Sequence, residues 1–169
     1  MTRPVFPKNG GSVDTHTDVQ NECIRRISEE GTDKALNWML PVKNGTELSR
    51  PRSVVLEWST DLLPPYTIEL SEEENMRSPL TRYTDAPRLE LTNLKVGQKY
   101  FWRINGGEVW SFSTEDNKYR FMDIDGALNV RDIGGVNIKQ GLIYRGSEID
   151  KEFKLSDKGK YTFKNELAI

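Results

Sequence analysis

Cysteine and histidine are nearly missing from this 169-residue chain, which holds one of each, Cys23 and His16. A lone cysteine cannot form an intramolecular disulfide or a cysteine-rich zinc site, and a lone histidine cannot build the usual histidine-led metal centre. Neither a metal nor any other cofactor is therefore expected. The plain role for Cys23 is that of a small apolar residue on a short helix face. Long apolar runs are missing too: no stretch of about 18 apolar residues occurs, so no membrane span is expected. Nor is one sign of charge in excess. The 24 Lys and Arg against 26 Asp and Glu leave a formal net charge of −2, which gives no electrostatic case for nucleic acid or an anionic membrane surface as a partner. The first residues also lack the apolar core of a secretory signal, which leans the expected location towards the cytoplasm, with a removed signal left open.

With 36% hydrophobic and 30% charged residues, the composition is that of an ordinary folded chain, long enough for one sizeable domain or two small ones. Residues 1–52 read as a loop, a helix and a lead-in strand. Phe6-Pro-Lys-Asn-Gly-Gly11 is turn chemistry, because Asn-Gly-Gly favours positive φ. From Asp18 the spacing of Val19, Cys23 and Ile27 predicts one amphipathic helix, with Thr17 or Asp18 as N-cap and Gly31 as its stop. Its short apolar stripe suits a helix laid against a larger body. Leu36 to Leu40 then reads as extended, and Pro41-Val-Lys-Asn-Gly45 as a turn.

Residues 53–116 change character. Val54, Leu56 and Trp58 alternate along one short run, and Tyr66, Ile68 and Leu70 along the next, with Asp61-Leu-Leu-Pro-Pro65 as the turn between them. Arg88–Leu91, Tyr100–Ile104 and Val109–Phe112 complete a set of short strands punctuated by Gly and Pro, the pattern of an all-β sandwich. Within it, Leu91-Thr-Asn-Leu-Lys-Val-Gly-Gln-Lys-Tyr-Phe-Trp-Arg-Ile104 resembles the fibronectin type III pattern, with Tyr100 six residues after Leu94. The resemblance implies a tyrosine corner, in which the ring fills the end of the sandwich and its hydroxyl bonds back to the corner backbone. Trp58 matches that family's core tryptophan on an early strand. Such a fold hosts many unrelated functions and names none.

Residues 117–169 carry two further segments, Ala127-Leu-Asn-Val-Arg-Asp-Ile-Gly-Gly135 and Gly141-Leu-Ile-Tyr-Arg145, expected as two strands of a hairpin-like unit. Leu155 to Leu167 reads as a helix with Ser156 as N-cap. Together they resemble the start of the bacterial tyrosine and dual-specificity phosphatases that open on Asn-x-Arg-Asp-x-Gly-Gly and continue into Gly-Leu-x-Tyr-Arg-Ser. The connection from Gly135 to Gly141 is shorter than in that family, and Gly146 stands where serine is common. The resemblance implies that Asn129, Arg131, Asp132 and Arg145 shape and support the rim of a phosphate site. It also implies a phosphorylated protein or phospholipid as substrate of the parent enzyme. Equally, Arg131 and Asp132 can make structural hydrogen bonds while Gly134 and Gly135 turn the chain.

In that family a thiolate, five intervening residues and an arginine do the chemistry. Here Cys23 is followed at the sixth position by Glu29, with no glycine between to let backbone amides face a phosphate. No catalytic residue is therefore assigned. The fold expected is mainly β: a fibronectin type III-like sandwich with an N-terminal helix, followed by an incomplete α/β phosphatase-like lobe. Three roles stay open: the truncated front of a phosphatase, inactive alone; a non-enzymatic β-sandwich binding module; or a lobe turned into an assembly surface. Met122, Ile124, Leu142, Ile143, Phe163 and Leu167 would need cover, from the sandwich or from a second copy in a homodimer.

Overall fold

A computed structural model describes residues 1–39, 48–116, 119–135, 137–147, 149 and 154–167. Strands outnumber helices and the sheets are open, a mainly β protein. It divides into two compact units, each assembled from separated stretches of chain: Met1–Thr15 with Ser53–Asn117, and His16–Arg52 with Lys118–Ile169. A three-part division at residues 52 and 116 differs from this, because the first residues supply strands to one unit and the following helices belong with the C-terminal stretch.

The first unit holds β1 (Arg3–Phe6), β2 (Gly11–Val13), β3 (Val54–Ser59), β4 (Tyr66–Ser71), β5 (Leu80–Thr84), β6 (Arg88–Leu91), β7 (Lys99–Ile104) and β8 (Trp110–Thr114). One sheet runs β1-β3-β6 and the other β2-β8-β7-β4-β5. All pairs are antiparallel except β2 with β8. Alternation places Val54, Leu56 and Trp58 from the first sheet in one core with Tyr66, Ile68, Leu70, Tyr100, Trp102, Trp110 and Phe112 from the second. Trp58 packs edge-on to Tyr66, and Trp102 lies 5.1 Å from Trp110, centre to centre. The Tyr100 hydroxyl accepts the Lys95 amide at 2.8 Å, so the buried ring closes the corner before β7 without stranding its polar tip. Leu94 packs beside it, half-buried.

Three strands of this unit escaped the sequence pattern, each for a physical reason. Pro4 and a register shift break up β1, a device confined to sheet edges. With three residues, β2 is too short to show a period. The edge strand β5 leaves Leu80 and Tyr83 exposed, so its alternation is blurred.

In the second unit, α1 (Asp18–Glu30) starts at Thr17, whose side chain accepts the Gln20 amide while the Gln20 side chain accepts the Thr17 amide. Gly31, at φ 87°, ends it. The buried residue of α1 is Gln20, whose amide nitrogen donates to the carbonyls of Leu48 and Arg50. Val19 and Cys23 are only half-buried and Ile27 is exposed, so the expected apolar stripe is not what fastens this helix. Leu36–Met39 is helical rather than extended, as part of α2 (Thr32–Met39). A run this short has no readable period; burial of Ala35 and the Arg26 guanidinium over the Trp38 ring favour the helix. Leu40 and the expected turn at 41–45 lie outside the described residues.

Three two-residue strands, β9 (Arg120–Phe121), β10 (Arg131–Asp132) and β11 (Tyr144–Arg145), form a sheet with β10 in the middle. The expected hairpin pairing of the last two is present, antiparallel and short. Ser156 caps α3 (Asp157–Tyr161) by accepting the Gly159 amide at 3.0 Å, and the chain continues as a π-helical turn, Thr162–Glu166. A β-carbon at Gly159 would lie 2.0 Å from the Asp125 carbonyl oxygen, so this seat admits only glycine. Met122, Ile124, Ala127, Val130 and Leu167 make a small core with Phe163 and Tyr144 against it, whereas Leu142 and Ile143 remain exposed.

These contacts set two stability expectations. Tyr100→Phe removes the acceptor of the Lys95 amide and should cost about 1 kcal/mol. Trp102→Ala, at a fully buried position, should cost about 3–5 kcal/mol. Urea denaturation checks both; unchanged midpoints would show that neither the corner nor the aromatic core holds the first unit.

Candidate functional site

The small sheet of the second unit sorts its residues into two rows. Directly opposed residues in antiparallel strands share a face, and neighbours along a strand take opposite faces. The register therefore sets Phe121, Arg131 and Arg145 on one face and Arg120, Asp132 and Tyr144 on the other.

On the second face, Asp132 is almost fully buried. Its carboxylate accepts from Arg120 Nη1 at 2.8 Å, from the Gly134 amide at 2.9 Å and from the Gly141 amide at 2.6 Å. Those two amides bracket the loop between β10 and β11, so one side chain closes it. The glycines make this possible. A β-carbon at Gly134 would meet the Lys139 carbonyl oxygen at 2.6 Å, and Gly135 sits at φ 139°. Tyr144 completes the row; burial raises its hydroxyl pKa while nearby Arg120 pulls the other way.

On the first face, Arg131 directs Nε and Nη2 to Asn129 Oδ1, at 3.1 and 2.8 Å, and its guanidinium lies 5.5 Å from the Phe121 ring centre. Asn129 itself has φ 56°, a conformation asparagine tolerates better than most residues. Burial lowers the pKa of half-buried Arg131, and the neighbouring Arg145 charge lowers it further. Among the described residues no carboxylate lies within ion-pair distance of Arg131 or Arg145. Close by are His16, which donates Nε2–H to the Tyr119 carbonyl at 2.6 Å and meets Phe121 edge-on, and Cys23. Burial pushes the Cys23 thiol up, with Arg131 opposing it, the reverse of an activated thiolate.

Of the four residues singled out by sequence, the structure gathers Asn129, Arg131 and Arg145 on one side and turns Asp132 to the other. Arg120, Phe121 and Tyr144 complete the two rows, and His16 meets Phe121 edge-on. Strands of two residues carry no periodicity, so only the pairing reveals them. No group of metal-ligating side chains occurs among the described residues, and none of their helices is long and apolar enough to cross a membrane. Comparison with protein-family models, curated proteins and solved structures finds no match.

Asp132→Ala should destabilise the second unit by about 3–5 kcal/mol, because it removes the carboxylate paired with the buried Arg120 charge. An Arg120→Met, Asp132→Leu double variant should recover only part of this, since the Gly134 and Gly141 amides still lack their acceptor. Equal stability of wild type and Asp132→Ala in denaturant would refute the role given to this carboxylate.

A second expectation concerns acid. The Ser156 hydroxyl, then Arg50 and Lys158, hold the Asp125 carboxyl below its ordinary value of 3.8. Its contribution is complete above that value and is lost as pH falls through the depressed one. The stability difference between wild type and Asp125→Asn should therefore shrink on acidification, and a difference constant from pH 6 to pH 2 would contradict it.

Proposed function

We propose that this chain is the front part of a cysteine-dependent protein tyrosine or dual-specificity phosphatase, in which a fibronectin type III-like sandwich accompanies the first strands of the catalytic domain. The observation that carries the reading is the Asp132 clamp. It gives a physical task to Asp132, Gly134 and Gly135 of the Asn-x-Arg-Asp-x-Gly-Gly segment, and it lays Arg145 of the second segment across from Arg131. The sandwich part is supported by the strand orders β1-β3-β6 and β5-β4-β7-β8, by buried Trp58, and by the Tyr100 hydroxyl at its corner.

In this reading the substrate is a phosphorylated protein or phospholipid. A thiolate attacks phosphorus, the ester oxygen leaves with a proton from an aspartic acid, and water then releases phosphate from the phosphocysteine. Residues 1–169 contribute the support of the site, not the nucleophile, because Cys23 has neither the arginine six residues on nor a lowered pKa.

A non-enzymatic binding or assembly module is the second reading. Exposed Ile133, Ile138, Leu142 and Ile143 lie in and beside the loop that leads to β11, an edge strand, and favour pairing with another chain such as a second copy.

Purified 1–169 should release no phosphate from a small aryl phosphate. The parent reading frame should continue into a Cys-five-residues-Arg loop, and its product should lose all turnover when that cysteine becomes serine. A stop codon after Ile169 in the natural gene, or turnover by 1–169 that vanishes with Cys23→Ser, would overturn the proposal.

A further inference from the structure

Arg131 and Arg145 face each other directly across two antiparallel strands, the position at which like charges repel most strongly. Asn129 Oδ1 engages two nitrogens of Arg131, which orients the guanidinium and leaves Nη1 with hydrogens to donate. Arg145 is exposed, and among the described residues none accepts a hydrogen bond from it. The Arg131 guanidinium lies over the Phe121 ring, which His16 meets edge-on, and Arg131 is half-buried, so its charge is partly stripped of water. Asp132, the nearest carboxylate along the chain, is pinned to the opposite face and cannot neutralise the pair.

We propose that Arg131 and Arg145 bind a phosphate-type oxyanion on residues 1–169 themselves, without any cysteine loop. A tetrahedral oxyanion brings several acceptor oxygens to two planar forks and removes their mutual repulsion, which a single neutral acceptor does not. Asn129 acts as a positioning residue: it touches Arg131 and not the anion. As the phosphate subsite of the enzyme proposed above, the pair rests on that reading; as an anion site, it is tested without it.

Inorganic phosphate is titrated into 1–169 at low ionic strength while backbone and arginine side-chain NMR signals are followed, with sodium chloride of matched ionic strength as reference. Saturable shifts centred on Arg131 and Arg145 are expected, weakening as salt is added. Arg145→Gln, at an exposed position whose loss leaves the fold intact, should reduce the affinity at least about tenfold, the scale of losing one charge-assisted fork. Lys139→Gln, an exposed cation in the neighbouring loop, should leave it unchanged. Absence of saturable binding, or binding that Arg145→Gln leaves intact, would overturn the inference. Phosphate binding at the pair in a chain whose gene lacks the Cys-five-residues-Arg loop would remove the phosphatase and keep the anion site. The reverse combination would do the opposite.

Discussion

A buried carboxylate has to be matched or it unfolds its surroundings, and in the second unit that constraint is Asp132. One oxygen meets Arg120 and the Gly141 amide, the other the Gly134 amide. Such a pair is a poor source of stability, since apolar residues of similar size often do as well. Its effect is on register. A strand of two residues has almost no hydrophobic pattern to keep it from slipping, and a slip of one position would put Arg131 on the buried face. With Asp132 fixed, Arg131 has only the other face to occupy. The like-charged row of Arg131 and Arg145 is thus a consequence of how the carboxylate is satisfied.

The first unit solves a different problem with different means. Its core is aromatic, with Trp58, Tyr66, Tyr100, Trp102, Trp110 and Phe112 all buried. Large rings bury much area per ordered residue, which suits a small sandwich. The Tyr100 hydroxyl reaches a backbone amide, yet the indole N–H groups of Trp58 and Trp102 find no acceptor among the described residues. Each such donor costs on the order of 1–3 kcal/mol. Burial of a whole tryptophan outweighs that, so packing rather than polar pairing decides this core.

The strands of the first unit were more legible in the sequence than the site. Six-residue strands such as Val54–Ser59 and Lys99–Ile104 are long enough to show alternation, and a corner tyrosine leaves a spacing that can be counted from Leu94 to Tyr100. Helix α1 was bounded by Thr17 and Gly31, but its buried residue, Gln20, is polar and invisible to a hydrophobic pattern. At the site, Asn129, Arg131, Asp132 and Arg145 stood out as residue types. Which of them share a face did not, because that depends on strand pairs made by residues 10 to 14 positions apart. His16 was out of reach altogether: its place beside Phe121 joins residues more than 100 positions apart.

That long-range joining changes what a short C-terminal stretch can be. Read alone, the described residues of 119–167 are two-residue strands, one capped helix and its π-helical turn, a set too small to bury much. Arg50 reaches Asp123 and Asp125, His16 bonds the Tyr119 carbonyl, and Arg131 senses Cys23 on α1, so residues from the first third of the chain complete the unit. The small core of Met122, Ile124, Ala127, Val130 and Leu167 lies within this unit. Among the described residues, Ile133, Ile138, Leu142 and Ile143 stand exposed in and beside the loop that leads to β11. An open edge with apolar residues beside it is unstable against pairing. Two-residue strands moderate that hazard, since so short an edge offers few free backbone groups to a partner.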